Sequence, residues 1–213
     1  VVCTGDSILR GNEPYNYPEV LEMLVRMTDH PTRFIFVAKA SRKLHDLAKN
    51  ARRATRWIGD DKTIFVFMAG ACNFPWPKNM LKSQVTNQGI DLDKLEVELQ
   101  RKLLAAMQSM SAIRKGLTVW VGLLPGREVD TTKDKSSRDP DMVTLNALIM
   151  DLNDFINMEV RKRHWHFVDA RRFYDGRKIK NDLFKDSIHP PSLGSEKLAI
   201  NIYKVLVKLL NWI

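Results

Sequence analysis

Five short apolar runs alternate with segments of helical periodicity, and this alternation constrains the fold more than any other feature of the chain. The runs are too short for helices, and they are continuous, which is typical of strands covered on both faces. The repeated strand–helix order therefore predicts an α/β fold with a five-stranded parallel sheet between layers of helices. The predicted strands are Val1–Thr4, Phe34–Ala38, Thr63–Ala69, Leu117–Leu123 and His164–Asp169. The predicted helices are Pro18–Thr28, Ser41–Ile58, Asp91–Met110, Asp141–Val160 and Leu193–Trp212.

The loops that follow the strands carry the chemically distinctive residues. Right-handed crossovers place the carboxyl ends of parallel strands on one edge of the sheet, where open α/β folds bind their ligands. Ser7 follows the first strand, Asn73 the third and the polar segment 125–140 the fourth. Asp186 and His189 lie in the segment after the fifth strand. We therefore expect all of these residues at the same edge of the sheet.

Length and cysteine content bound the class of protein. With 213 residues the chain is long enough for a sizeable core, and we expect a single domain over residues 1–213. No apolar run approaches the roughly 18 residues that a membrane-spanning helix requires. The first strand begins at Val1, so we expect the domain to be part of a longer protein. Cys3 and Cys72 lack the spacing of a disulfide or metal motif, which favours a reducing, intracellular compartment, cytoplasmic or nuclear.

Ser7, Asp186 and His189 are the residue types of a nucleophilic triad. A serine attacks only when a neighbouring base takes its proton, and that base needs an orienting partner. We assign Ser7 as the nucleophile, His189 as the base and Asp186, three residues before it, as the group that holds the imidazole. The transition state also needs donors for an oxyanion, and the Ser7 backbone N–H and the Asn73 side-chain amide are the candidates.

Three blocks in this order on this fold resemble the SGNH (GDSL-type) hydrolases. The resemblance covers essentially the whole chain and implies a flavodoxin-like three-layer fold with serine esterase or acyl-hydrolase chemistry and no cofactor. Family roles carry over as nucleophile for Ser7, oxyanion donor for Asn73, and acid–base pair for Asp186 and His189. The three blocks are Gly5-Asp6-Ser7, Gly70-Ala71-Cys72-Asn73 and Asp186-Ser187-Ile188-His189.

The chain departs from the pattern of this family at two places. The family has a glycine in the loop after the second strand, and its N–H also serves the oxyanion. Here that loop contains no glycine, so the backbone N–H of Lys39 or Ala40 is the candidate replacement. At the second place, Cys72 stands where the family has a small or polar residue, and Phe74 follows Asn73 where the family has aspartate.

The charge of the chain gives a second functional hypothesis. Its formal net charge is +9, an excess that favours polyanions such as nucleic acid. One face of the predicted second helix is a basic stripe with almost no acidic residues, and further arginines precede the block that contains His189. A solvated outer face of a layer helix is the structural alternative. The residues assigned to a nucleic-acid surface are Arg42, Lys49, Arg52, Arg53, Arg56, Arg171 and Arg172.

Two basic, intracellular branches of the resembled superfamily fit this charge. One is the esterase-like domain carried by some LINE-type retrotransposon proteins. The other is the OSK domain of Oskar, which resembles the hydrolases, lacks their catalytic residues and binds RNA. The chain keeps the serine, aspartate and histidine, which favours the first branch for activity.

Two hypotheses therefore follow from the sequence. The first is a serine esterase acting on small acyl esters, such as acetyl esters. The alternative is a pseudo-hydrolase that binds RNA or DNA through its basic surface with little or no turnover. We interpret His164 and His166, in the predicted last strand, as structural residues and predict no metal site.

Overall fold

The structure is a computed structural model that describes residues 1–6, 17–28, 32–38, 43–55, 63–73, 91–112, 116–126, 128, 140–175, 178–179 and 192–211. Within these residues, five parallel strands form one sheet in the order β2-β1-β3-β4-β5. This confirms the predicted α/β fold with a five-stranded parallel sheet. The strands are β1 (Val2–Gly5), β2 (Ile35–Ala38), β3 (Ile64–Met68), β4 (Leu117–Val121) and β5 (His166–Val168).

Helices cover both faces of this sheet and create two apolar cores. Successive strand side chains point to opposite faces, so Phe67 and Trp120 enter one core, while Val66 and Val119 enter the other. The first core also contains residues of α2, α3 and α4, and the second contains residues of α1 and α5. The helices are α1 (Tyr17–Arg26), α2 (Asp46–Thr55), α3 (Leu92–Ser111), α4 (Pro140–Lys162) and α5 (Ser192–Leu210).

The strand register aligns the carboxyl ends of the three strands that precede the candidate site residues. Gly5, the last residue of β1, pairs with Ala38 at the end of β2 and with Met68 at the end of β3. Because the strands are parallel, the chain leaves the sheet from all three at the same level. The sheet therefore brings the starts of three loops side by side.

The predicted start of α2 is wrong, whereas that of α3 is confirmed. The predicted cap Ser41 lies outside the described residues, and the helix begins only at Asp46. Asp46 Oδ2 accepts a hydrogen bond from the Lys43 backbone N–H at 3.2 Å, so an acid inside the first turn satisfies a donor ahead of the helix. Asp91 caps α3 as predicted, because its Oδ1 accepts the Lys94 N–H at 3.1 Å.

The prediction that the last strand starts at His164 is also wrong. β5 begins at His166, and His164 terminates α4 with φ +54°. The His164 N–H donates to the Arg161 carbonyl and the Trp165 N–H donates to the Val160 carbonyl, both at 3.0 Å. This pair of bonds is the Schellman arrangement, which normally places glycine at the left-handed position. His164 is therefore part of the helix terminus and not of the last strand.

An antiparallel hairpin follows β5. The apolar pattern of the sequence does not predict this hairpin. Its strands are β6 (Tyr174–Asp175) and β7 (Lys178–Ile179). The sequence Asp175-Gly176, which begins at the last residue of β6, is a typical turn signal, but the strands are too short to show alternation. Among the described helices, none has the length and apolar character needed to cross a membrane.

Candidate functional site

The structure describes Asn73 but not the other predicted site residues at this edge of the sheet. Ser7, Lys39, Asp186 and His189 lie outside the described residues, as does the alternative oxyanion donor Ala40. The described residues immediately before Ser7 and Lys39 are placed, since β1 and β2 end at paired positions. Asn73 and the elements that support it are therefore the part of the candidate site that the structure places.

Asn73 ends a short 3₁₀ turn, Ala71–Asn73, that follows β3. Its backbone N–H donates to the Gly70 carbonyl at 2.9 Å, and its Oδ1 accepts the Leu44 backbone N–H at 3.0 Å. A backbone N–H can only donate, so the amide atom that faces Leu44 must be the oxygen. Nδ2 is thereby turned away from Leu44, and it donates no hydrogen bond to the described residues. The half-buried amide thus presents a donor, which is what an oxyanion requires.

Gly70 permits the close approach of two side chains to this turn. Its φ is +131°, a backbone conformation that side chains rarely adopt. A methyl group added at Gly70 would lie 2.6 Å from Leu123 Cδ2 and 3.8 Å from Leu44 Cδ2. The two leucines therefore enclose the Gly70 backbone, one from the loop after β4 and the other from the segment before α2. Gly70, where the chain turns toward Asn73, therefore lies between these two segments.

Polar groups that the sequence argument did not use lie buried beneath the end of β1. Asp6, directly before Ser7, is 1% exposed, and Tyr17 on α1 is likewise 1% exposed. Burial raises the pKa of the Tyr17 phenol well above its usual value, and the nearby Cys3 thiol and Asp6 carboxylate raise it further. Burial also raises the pKa of the Cys3 thiol to about 12. The phenol and the thiol are therefore both protonated at neutral pH and supply no base here.

Two asparagines on α4 hold the loop that follows β4. Asn153 Oδ1 accepts the Leu123 N–H at 2.7 Å, and its Nδ2 donates to the Leu123 carbonyl at 2.9 Å. Asn146 makes the same pair of bonds with Gly126, at 2.8 and 2.9 Å, and also donates to Glu128 Oε1 at 3.1 Å. Each amide thereby satisfies a backbone donor and an acceptor that are buried away from water. Sequence analysis missed both residues, although both are polar positions within an otherwise apolar stripe.

The predicted nucleic-acid surface is only partly described. Lys49 and Arg53 are exposed on α2, one helical turn apart, and neither forms an ion pair with a described residue. The side chains of Arg52 and Arg172 lie outside the described residues, as do Arg42 and Arg56 altogether. Lys49 and Arg53 are therefore the part of the basic stripe that the structure places on the surface.

Arg171 has a different environment, because two carboxylates bind its guanidinium. Nε lies 2.9 Å from both Asp169 oxygens, and Nη1 lies 2.6 Å from Asp154 Oδ1. The hydrogen bond to Asp169 raises the pKa of the guanidinium further above its usual value. Arg171 therefore joins the end of β5 to α4, and two neighbouring acids neutralise its charge. A polyanion at this position would compete with them.

No group of three or more histidine, cysteine, aspartate or glutamate side chains is placed to hold a metal ion in the described part of the chain. His166 lies half-buried on the edge strand β5, and burial lowers the pKa of its imidazole. His164 ends a helix, as described above. Where the structure places them, both histidines have structural positions.

Comparisons with known proteins agree with this arrangement of elements. No protein-family model matches the chain, and no curated protein matches its sequence. Among solved structures, it is similar to a member of the lipolytic G-D-S-L family from Veillonella parvula, with TM-score 0.63, 17% identity and 97% coverage of both chains. An extracellular lipase from Streptomyces rimosus has TM-score 0.66, 17% identity and 98% coverage of both.

An acetyl xylan esterase is similar over 96% of this chain and 98% of its own, with TM-score 0.54 and 17% identity. Identities this low describe the fold rather than the activity. All three neighbours are named as lipolytic or esterase proteins, and the similarity spans nearly the whole length of each chain. The fold of this protein is that of the GDSL-type (SGNH) hydrolases.

Proposed function

We propose that this protein is a serine esterase whose nucleophile is Ser7. The observation that carries the proposal is the orientation of the Asn73 amide, whose Oδ1 accepts the Leu44 N–H, so that its N–H groups are turned away from Leu44. Asn73 follows β3, whose last residue pairs with Gly5 at the end of β1, two positions before Ser7 in the sequence. The hydrolase fold and the order of the three sequence blocks support it. His189 acts as the base, and Asp186 orients its imidazole.

The reaction follows from these assignments. His189 takes the Ser7 hydroxyl proton as the oxygen attacks the ester carbonyl, and the carbonyl oxygen becomes an oxyanion. Asn73 Nδ2, the Ser7 N–H and the N–H of Lys39 or Ala40 donate to that oxyanion. Protonated His189 then gives its proton to the leaving alcohol, and water, activated by the same imidazole, releases the acid. Water is the only co-reactant, and no cofactor is needed.

We assign small acyl esters as the substrate class. Similarity to an acetyl xylan esterase over almost its entire length is in keeping with a short acyl group. Within this superfamily, the esterase-like domains of LINE-type retrotransposon proteins are the branch we propose, because the chain combines a net charge of +9 with the three triad residue types.

Hydrolysis of p-nitrophenyl acetate by the wild type and Ser7→Ala tests the proposal. We expect turnover by the wild type, loss of turnover in Ser7→Ala, and labelling of the wild type alone by a fluorophosphonate probe. Ser111→Ala is the matched control, because Ser111 lies in the last turn of α3, where its hydroxyl bonds the Met107 carbonyl. Equal hydrolysis by the wild type and Ser7→Ala would refute the assignment.

A second function, nucleic-acid binding, rests on Lys49 and Arg53. Both are exposed on one face of α2 without a described acidic partner, which is the arrangement that binds phosphates non-specifically. The solved structures that resemble the chain lend it no support. Arg171, assigned to the same surface by sequence, is bound by Asp169 and Asp154. α2 is therefore the centre of the proposed surface.

The test compares binding of a fluorescent single-stranded RNA at increasing salt. Lys49→Glu with Arg53→Glu should weaken binding and flatten its salt dependence. The control is Lys204→Glu with Lys208→Glu, the same charge change on exposed positions of α5 in the opposite layer. If both pairs weaken binding equally, only the net charge acts and α2 forms no surface of its own.

A further inference from the structure

We propose that Asn153 on α4 is a positioning residue for the oxyanion donor Asn73, acting through Leu123 and Gly70. The two asparagines lie on different elements and share no hydrogen bond. The inference rests on the proposed esterase function, because positioning has meaning only if Asn73 binds an oxyanion. The inference gives α4, a helix of an outer layer, a part in catalysis. α4 lies far along the chain from the three sequence blocks that resemble the hydrolases.

The first step in the path is the bond between Asn153 and the Leu123 backbone. Asn153 is fully buried, and its amide forms two hydrogen bonds to the same residue, at 2.7 and 2.9 Å. A planar amide that accepts from the N–H and donates to the carbonyl of one residue acts as a neighbouring strand would. It fixes the position and orientation of Leu123 where β4 has already ended, and where ladder bonds no longer do so.

The second step is the packing of Leu123 against Gly70. An added methyl at Gly70 would lie 2.6 Å from Leu123 Cδ2, so the leucine methyl occupies the space where a side chain would otherwise stand. The Gly70 carbonyl in turn accepts the Asn73 N–H at 2.9 Å. Movement of Leu123 toward or away from Gly70 therefore changes the position of the turn that carries Asn73. The path from amide to amide contains two hydrogen-bonded contacts and one tightly packed contact.

Asn146 provides an internal comparison. It lies on the same helix, seven residues earlier, is also buried, and makes the same pair of bonds to one residue of the same loop. Its partner is Gly126, which has no described contact with Gly70 or Asn73. Loss of Asn146 should loosen the loop without acting through the Gly70 turn. The pair therefore separates a specific effect on Asn73 from a general effect on loop stability.

Gly122 offers a way to disturb Asn153 while keeping its side chain. A methyl added at Gly122 would lie 2.7 Å from Asn153 Oδ1 and 3.0 Å from Phe167 Cζ. Gly122→Ala should therefore displace the amide from Leu123 but leave its chemistry unchanged. This variant matters because Asn153→Ala leaves the buried N–H and carbonyl of Leu123 unsatisfied and is the more disruptive change.

The experiment is a double-mutant cycle on p-nitrophenyl acetate hydrolysis, with Asn153→Ala and Gly122→Ala each made in the wild type and in Asn73→Ala. In the wild type, each should lower kcat about 10- to 100-fold with little change in KM, as expected for a misplaced oxyanion donor. In Asn73→Ala neither should lower kcat further, because the group that they position is absent. Asn146→Ala should have the same effect in both backgrounds.

The inference is overturned if Asn153→Ala and Gly122→Ala lower kcat equally in both backgrounds, or leave it unchanged in the wild type. Far- and near-ultraviolet circular dichroism identifies any variant that is unfolded. If either Asn153→Ala or Gly122→Ala is unfolded, the kcat values of the other variant test the inference. Side-chain amide NMR gives a readout that does not need turnover. The Asn73 amide signal, assigned by its loss in Asn73→Ala, should shift in Gly122→Ala and stay unchanged in Asn146→Ala. A wild type without turnover would overturn the proposed function, whereas an unshifted signal would overturn the inference.

Discussion

Gly70→Ala should destabilise the protein by about 3 kcal/mol. A φ of +131° costs an alanine about 1–3 kcal/mol, because its Cβ conflicts with the neighbouring backbone. The added methyl meets Leu123 Cδ2 at 2.6 Å, and overpacking of this kind costs about 1–3 kcal/mol. Alanine also restricts the unfolded chain, which offsets about 0.4–1 kcal/mol of the loss. The sum of the mid-range values is the expected change in the free energy of unfolding.

Urea denaturation followed by circular dichroism measures this change, provided that the dependence on urea is the same in both proteins. Leu123→Ala in combination with Gly70→Ala separates the two causes. Truncation at Leu123 removes the methyl that clashes but leaves the backbone conformation at Gly70 unchanged. The double variant should therefore be more stable than the sum of the single effects predicts, by roughly the overpacking cost of about 1–3 kcal/mol.

The result that refutes this reasoning is a Gly70→Ala protein within about 0.5 kcal/mol of the wild type, the range of an ordinary surface substitution. Additive effects of the two substitutions would refute the steric part alone. Either outcome would mean that Leu123 is free to move away from Gly70. It would also remove the packed contact through which Asn153 acts on Asn73.

Three further predictions concern groups outside the site. His164→Gly should raise the free energy of unfolding by about 1 kcal/mol, because glycine adopts φ +54° without the cost that histidine bears, and His164→Ala should give no such gain in urea denaturation. Hydrogen bonds from Lys162 and Arg163 lower the pKa of the Glu159 carboxylate in the folded protein. The carboxylate therefore stabilises the fold above its unfolded pKa near 4.5, and this stabilisation is lost as the pH falls through the lower folded pKa. The difference in the free energy of unfolding between the wild type and Glu159→Gln should shrink over the same fall in pH. The Cys3 thiol, with a pKa of about 12, should react with a thiol reagent at neutral pH only as fast as the protein unfolds, measured in a Cys72→Ser background.

Sequence was sufficient for the sheet and insufficient for the ends of its elements. Continuous apolar runs such as Ile64–Met68 indicate buried strands whatever their neighbours are, so the five strands were predictable. Boundaries depend on local hydrogen bonds that periodicity does not record. Asp46 begins α2 because its carboxylate accepts a backbone N–H three residues earlier. His164 has a left-handed conformation that glycine usually occupies, so a residue that suits a strand by type instead ends a helix.

In the candidate site, too, the sequence predicts some features and not others. It identifies the candidate reacting residues more readily than the residues that hold them in position. The position of Asn73 was predictable, since it follows a buried strand at the edge where such folds bind ligands, and its role as an oxyanion donor stays a prediction. Its orientation was not, because the Leu44 N–H that fixes Oδ1 belongs to a segment 29 residues away in the chain. Asn146 and Asn153 did leave a signal: two amides seven residues apart, on a helix face whose other members are apolar. A side-chain amide in the core needs hydrogen-bond partners. Backbone N–H and carbonyl groups just beyond the end of a strand lack the hydrogen bonds of the sheet, so they are suitable partners. Paired asparagines on the inner stripe of a layer helix therefore indicate which loop at the edge of the sheet the helix holds in place.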